Sequence, residues 1–324
     1  MRFNALRVAV AAMVALSLAV PAQASQRQEE PVSLVGKKIL LANDDGVQAA
    51  NPNGSDGRGL YVLRRALCRA GADVAIVGPW TQQSGRSRAT SGAGVVSASA
   101  PVAVPAEFSA DCASAPARGL VLGVCQGSVP CGPDSQSVTP ADAVIIALTG
   151  VLPQRLGWNE GPDLVVSGIN AGPNTDFAIN GSGTIGAATA AVERGVAAVA
   201  VSAGTRVTPP PTTETYAAAA DVVIRLLASP RLWTFVRDMV LVNVNQPDAQ
   251  PGSEPAPVRW TSVGRMAQGE VTYTPTGDGA YQVSFNPVQP PPEFEEDSDT
   301  KALLDGYVSV SAVDVNRTYT GPLR

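Results

Sequence analysis

The sequence predicts an α/β fold built on a mostly parallel sheet. Short apolar runs end abruptly in Asp, Asn, Ser or Gly, and segments of helical spacing separate them. Runs this short and this apolar mark strands buried on both faces. Strand–helix–strand order then gives parallel pairing. In such sheets ligands bind just beyond the carboxyl ends of the strands, so the residues that close each run are the candidates for function.

The first run, Lys38 to Ala42, closes in Asn43-Asp44-Asp45-Gly46. Adjacent carboxylates repel unless something positive lies beside them, and a hard divalent cation with oxygen ligands relieves the repulsion. The same four residues also favour a plain turn. A polar loop, Ala49 to Gly59, follows. Leu60, Leu63, Leu67 and Ala70 then recur at helical spacing up to Gly71. Val74 to Val77 is the second strand, closed by Gly78-Pro79, and completes one βαβ unit. The loop Thr81 to Arg86, which contains Ser84, should lie at the same sheet edge as Asp44 and Asp45.

From Gly92 to Val138 the chain is rich in Ala, Gly, Ser and Pro and reads as β-structure plus a long insertion. Thr139-Pro140-Ala141-Asp142 is a helix start with a capping residue, a proline in the first turn and an acid that reaches back. Ala143 to Leu148 continues it. Asp163 to Ser167 is the next strand and closes in Gly168-Ile169-Asn170-Ala171-Gly172-Pro173-Asn174. Ser182-Gly183-Thr184 opens an Ala-rich helix, Ile185 to Arg194; its free N–H groups make a natural anion site, or a simple serine cap. Ala197 to Ser202 is a strand, Thr213 to Leu227 a helix and Val240 to Val244 a strand. Beyond Pro247 the runs Val258 to Val263, Glu270 to Tyr273 and Tyr281 to Phe285 read as hairpins. The acidic run Glu293 to Asp299 reads as a solvated loop, and Gly306 to Val310 as a terminal strand.

Composition narrows the chemistry. The chain of 324 residues has no histidine. That excludes histidine phosphatases, Ser-His-Asp and Cys-His hydrolases and histidine-ligated zinc enzymes. The net charge of −5 argues against a basic surface for polymeric nucleic acid. Arg2 and Arg7, the apolar stretch Val8 to Val20 and Ala22-Gln23-Ala24 form a secretory signal peptide (residues 1–24), followed by a disordered linker over 25–36. The mature protein is expected to be soluble, periplasmic or secreted, and not membrane-bound. Cys68, Cys112, Cys125 and Cys131 are an even set in an exported chain, so one or two disulfides are expected, with three pairings of all four open.

Strand ends and one helix start thus bring Asp44, Asp45, Ser84, Asn170 and Ser182-Gly183-Thr184 toward one edge, a set suited to a metal and a phosphate. Here the chain resembles the SurE family of survival-protein nucleotidases, which are metal-dependent phosphomonoesterases. The matching stretches are Ile39 to Gly46, Gln83-Ser84-Gly85, Thr139 to Asp142, Pro162 to Gly172, Ser182-Gly183-Thr184, Asn243 to Pro247 and Leu303 to Val310. The resemblance implies a Rossmann-like three-layer core over 37–247, with an insertion at about 92–138. It also implies a β-rich C-terminal extension over 248–324 that exchanges with a partner in a homodimer or homotetramer. Asp44, Asp45, Ser84 and Asn170 would hold Mg²⁺ or Mn²⁺, with Asp44 and Asp45 catalytic. Asn174, Ser182, Gly183 and Thr184 would meet the phosphate of a nucleoside 5′- or 3′-monophosphate. Attack by water and a covalent aspartyl-phosphate are competing mechanisms. The chain departs from the family's pattern at Gln48, where a histidine is common, at Gly181, often Tyr, and at Val138, usually Gly. Those departures leave the base and the leaving-group contacts open. A broad acid phosphatase or exopolyphosphatase is the alternative activity. An exported solute-binding protein is the non-enzymatic one, and it would need two α/β lobes where this chain gives one.

Overall fold

A computed structural model describes residues 30–48, 56–92, 94–101, 104–206, 209–235, 239–267, 269–288 and 293–316. The signal peptide expected over 1–24 lies outside the described residues. Of the linker expected over 25–36, residues 30–36 are described and partly packed: Val32 donates to the Ala228 carbonyl, Gly36 donates to that of Gly71, and Leu34 is buried.

Six parallel strands form the centre of a nine-stranded sheet. They are β1 (Lys38–Ala42) and β2 (Asp73–Pro79), then, past the edge strand β3 (Val96–Ser99), β4 (Val121–Gln126), β5 (Leu164–Ala171), β6 (Ala198–Ala203) and β7 (Val240–Gln246). Their spatial order, β4-β2-β1-β5-β6-β7, reverses direction at β1. The carboxyl end of β1 is therefore a topological switch point, where a crevice forms. Strand β3 pairs antiparallel to β4 at one edge.

Two layers of helix cover the sheet. On one face α1 (Arg58–Arg69) packs against α5 (Thr213–Ala228), burying Leu60, Leu63, Leu67, Tyr216 and Val223 over β1, β2 and β5. On the other, α2 (Pro140–Ile146) packs against α4 (Gly183–Val192). Six of the ten residues of helix α4 are Ala or Gly, so it lies close to its neighbours with most of its residues buried. Helix α2 runs on through a π-turn, Ala147–Val151, into α3 (Leu152–Leu156), longer than the expected end at Leu148. Thr149 donates to the Ile145 carbonyl within it.

The segment 92–138, read as β-structure plus a long insertion, supplies β3 and β4, and β4 is a core strand whose neighbour is β2. The composition hid that central position because Val121–Gln126 carries glycine and cysteine among its apolar residues. Two disulfides pin the rest: Cys68–Cys112 ties it to α1 and Cys125–Cys131 closes its return. Buried Arg64 donates to the carbonyls of Phe108, Asp111 and Gly119, fixing the same segment from below. Beyond Pro247, β9 (Gly269–Gly277) and β10 (Ala280–Pro287) do form an antiparallel hairpin. By contrast β8 (Val258–Thr261) joins no hairpin. It pairs parallel to β11 (Val308–Asp314), which lies antiparallel to β7, so both extend the main sheet. A short helix α6 (Pro230–Phe235) precedes β7, and between β8 and β11 helix α7 (Asp299–Leu304) is capped by Ser298. Asp299, expected on a solvated loop, is buried.

Candidate active site

The turn after β1 is built to turn sharply. Asn43 Nδ2 donates to the Gly46 carbonyl at 3.0 Å, and Gly46 has φ +88°. A Cβ there would lie 2.8 Å from the backbone of Thr81, so glycine is needed both for the dihedral and for the close approach. This turn buries Asp44 and Asp45 side by side at the switch point.

Asp44 is held by the start of α4. Thr184 Oγ1 donates to its Oδ1 at 2.6 Å. A Cβ on Gly183 would sit 2.7 Å from the Asp44 Cβ and 2.9 Å from Oδ2. Burial pushes the Asp44 carboxyl above its ordinary value, opposed by the Thr184 hydroxyl and by N–H groups including those of Thr184 and Gly183. Ser182 caps the helix, its Oγ accepting from Ile185 N at 3.2 Å. Thus part of the anion-binding capacity expected of this helix start is turned on a carboxylate of the chain itself.

Asp45 is held more loosely, accepting from Ala171 N at 3.3 Å. Burial pushes its carboxyl well above the usual range. The charge of Asp44 and that of Asp56 push it further, and the Ala171 N–H opposes them. Neither Asp44 nor Asp45 belongs to an ion pair among the described residues. Two buried, mutually repelling carboxylates without a side-chain cation are an environment that a hard divalent ion fits.

Asn170, on β5 itself rather than past its end, is buried one residue from the N–H that Asp45 accepts. Its Nδ2 donates to the Gly172 carbonyl at 2.7 Å, which leaves its Oδ1 as the oxygen available to a cation. Ser84 is brought near through its neighbour: Gln83 N donates to the Asp44 carbonyl at 2.6 Å. Ser84 is exposed, and its Oγ accepts from Gln82 Nε2 at 2.8 Å. Asn174 sits in a buried polar cluster. Its N donates to Asn245 Oδ1, its Nδ2 to Ser202 Oγ, and its carbonyl accepts from Asn243 and Asn245. That cluster accounts for the amides of Asn243 and Asn245 on a buried strand.

Thr184, which the sequence places at the phosphate-binding helix start, also bonds Asp44 through its hydroxyl. One residue near the acids has no signature in the sequence: Tyr216, on α5, has a buried hydroxyl without a hydrogen-bond partner among the described residues. Burial and the charges of Asp45 and Asp56 push its ionisation up. A tyrosine at helical spacing reads simply as core, and only the crossing of α5 over β5 brings it near the acids.

Comparison with known proteins matches most of the chain to one family. Residues 39–270 match the family model described as survival protein SurE. The chain is 30% identical to the 5′-nucleotidase SurE of Hyphomonas neptunium, over 87% of this chain and 94% of that one. It is 31% identical to the 5′/3′-nucleotidase SurE of Yersinia enterocolitica, over 88% and 94%. It is 33% identical to the 5′-nucleotidase SurE of Methanopyrus kandleri, over 79% and 84%. The crystal structure of the Sure protein from Aquifex aeolicus shares the fold, with a TM-score of 0.59, 24% identity and coverage of 87% of this chain and 94% of that one. On the family match and these relatives together, the chain belongs to the SurE family.

Proposed function

We propose that this protein is an exported, metal-dependent phosphomonoesterase that hydrolyses nucleoside 5′-monophosphates, and 3′-monophosphates as well, to nucleoside and phosphate. As a member of the SurE family it is a nucleotidase. The observation that carries the mechanistic part is the buried Asp44–Asp45 pair at the switch point, one carboxylate gripped by α4 and the other loosely held.

Asp44 and Asp45, with Asn170 Oδ1 and the Ser84 hydroxyl, would hold Mg²⁺ or Mn²⁺. When bound, such a cation supplies positive charge that polarises the phosphoryl group and acidifies an attacking water. The residues of the chain do the rest. Thr184 fixes the orientation of Asp44. Asp45, with its single backbone donor, is the carboxylate placed to receive a proton, since the chain has no histidine to do so. Ser182 and the backbone around Gly183 are the donors assigned to the phosphate oxygens. Asn174, immobilised by Asn245 and Ser202, orients the same side of the site.

Export is supported by the basic, apolar and small-residue order of residues 1–24. The pairing of all four cysteines suits an oxidising compartment. A homodimer or homotetramer is supported by the β9–β10 hairpin. It is a separate two-stranded sheet that exposes Val271, Tyr273, Tyr281, Val283 and Phe285. Two-stranded sheets are marginal alone, so a second copy of this chain is the partner assigned to that face.

The test is phosphate release by the purified mature chain from a panel of phosphomonoesters, with Mg²⁺, with Mn²⁺ and after exhaustive chelation. Full activity after chelation rejects the metal. Equal turnover of polyphosphate and nucleotides rejects the nucleotide preference.

A further inference from the structure

A polar cleft of about 650 Å³ lies between the 81–91 loop and the segment that returns from β4. Thr81, Gln83, Arg86, Gln126, Asp134 and Gln136 are among its lining residues. Its volume falls within the roughly 300–1,000 Å³ of small-molecule sites. It adjoins the carboxylates through Gln83, which lines the cleft and whose N–H binds the Asp44 carbonyl. The loop that forms one wall is also tied to the approach to α4, because Ser87 donates from N to the Gly181 carbonyl and from Oγ to that of Asn180.

The opposite wall is rigid. The Cys125–Cys131 disulfide closes it, Gln126 N donates to the Gln136 carbonyl at 2.8 Å, and Cys125 bridges Ser137 as a short antiparallel pair. Trp80 Nε1 anchors the tip at the Gly132 carbonyl, 2.8 Å away. Gln126, Ser135 and Ser137 on this wall are bonded to it, but two of its side chains are uncommitted. Asp134 and Gln136 are exposed and make no side-chain hydrogen bond or ion pair among the described residues. A rigid backbone that holds free polar side chains beside a reaction centre is what recognition by hydrogen bonding requires.

We infer that this cleft is the subsite for the nucleoside leaving group, and that Gln136 and Asp134 are specificity-determining residues in it. The inference rests on the nucleotidase reading. Amide side chains offer both a donor and an acceptor and so match the edges of nucleobases, while a carboxylate accepts from ribose hydroxyls. The lining contains no aromatic residue, so the base is read by hydrogen bonds rather than by stacking. A second phosphate is disfavoured, because Asp134 balances Arg86 and leaves no excess of positive charge.

The experiment compares wild type with Gln136→Ala and Asp134→Ala. One arm takes the ratio of kcat/KM for the four ribonucleoside 5′-monophosphates to kcat/KM for phenyl phosphate, which lacks the nucleoside. Each substitution is expected to lower that ratio about tenfold for at least one nucleotide, the loss of about one or two hydrogen bonds, mainly through KM. A second arm measures binding of the free nucleosides to metal-free protein by calorimetry, with Tm recorded for each variant; Kd should rise by a similar factor at unchanged Tm. Ratios and Kd values that stay at the wild-type level in both variants overturn the inference while leaving the nucleotidase reading intact. A wild-type protein that releases phosphate from none of these esters overturns the nucleotidase reading itself, and the calorimetric arm then decides the cleft separately.

Discussion

Thr184 Oγ1 lies 2.6 Å from Asp44 Oδ1, so the first turn of α4 grips a carboxylate of the neighbouring strand end. The bond joins elements 140 residues apart in sequence. It also explains why a residue with a hydroxyl is buried completely at that place. A hydrogen bond to a charged group is worth about 1.5–3 kcal/mol, enough to hold Asp44 in one rotamer.

Thr184→Val keeps the shape and removes the donor. Its kcat should fall by about tenfold or more, with weaker binding of the activating cation, while Thr184→Ser should recover most of the loss. Titration of activity against Mn²⁺ for both variants checks this. Equal kcat and equal cation affinity in Thr184→Val and wild type would show that the bond does not position Asp44.

Gly183 is where sequence and structure assign different reasons to one glycine. The family resemblance puts this glycine against a phosphate. In the structure even a methyl group meets Asp44 at 2.7 Å and the Pro140 ring at 3.0 Å. Gly183→Ala should therefore lower both kcat and stability, the latter by about 1–3 kcal/mol of overpacking. Ser182→Ala should cost about 1 kcal/mol as a lost cap, and a further fall in kcat/KM per folded molecule is expected from its proposed role at the phosphate. Stopped assays and thermal melts on the same preparations separate the effects. A Gly183→Ala protein with wild-type Tm and kcat would show that α4 can retreat from Asp44.

The strand ends were legible because an apolar run cut off by Asp44-Asp45 or by Gly168 has few other readings. The Thr139 cap was legible too: its Oγ1 accepts from Asp142 N at 3.1 Å. Partnership across the sheet was not. The segment 92–138 reads as β-structure without a core strand singled out, because the glycine and cysteine of β4 dilute its apolar signal. Val258–Thr261 looked like half of a hairpin because its partner, β11, lies some fifty residues on. Likewise Thr184 and Asp44 carry no mark of each other in sequence, since only the packing of α4 on β5 and β6 brings its first turn to the end of β1.

Asp45 and Asp44 repel in the metal-free protein, with burial the larger cause of Asp45's raised ionisation. Asp45→Asn should raise the Tm of the metal-free chain by a few degrees, on the order of 2–4 °C per kcal/mol for a domain of this size. The same substitution should abolish the further stabilisation expected from Mn²⁺ in the wild type, along with turnover. Scanning calorimetry with and without the cation reads both. A variant that is less stable than wild type without metal would mean the pair is not repulsive as folded.

The disulfides should differ in weight. Cys68–Cys112 closes a span of 44 residues and Cys125–Cys131 one of 6. Loop-closure entropy alone gives about 4 kcal/mol for the first and about 2 kcal/mol for the second. Removing each pair as a double Cys→Ala variant and measuring urea midpoints should reproduce that order. The reverse order would mean that the short loop's packing on Trp80, rather than chain entropy, dominates.

Asp299 gives the protein a pH dependence away from the reaction centre. Its carboxylate accepts from Gly264 N at 3.1 Å, Thr300 N at 2.9 Å and Asp176 N at 3.2 Å, so it ties α7 and the end of β8 to the loop that carries Asn174. Burial pushes its carboxyl up to about 6; those N–H groups oppose the shift, and the charge of Asp176 adds to it. A raised carboxyl means that the folded chain keeps a proton which the unfolded chain, at about 3.9, has released. Stability from this group is therefore full below about pH 4, declines as pH rises from about 4 to 6, and is flat above that. The span corresponds to about 3 kcal/mol. Asp299→Asn cannot titrate. The difference in unfolding free energy between wild type and this variant should therefore shift against the wild type across that window, while the Asp44–Asp45 contribution cancels between them. Urea melts of both proteins at closely spaced pH values provide the measurement, and a difference constant from pH ~4 to ~7 would remove Asp299 as the titrating group.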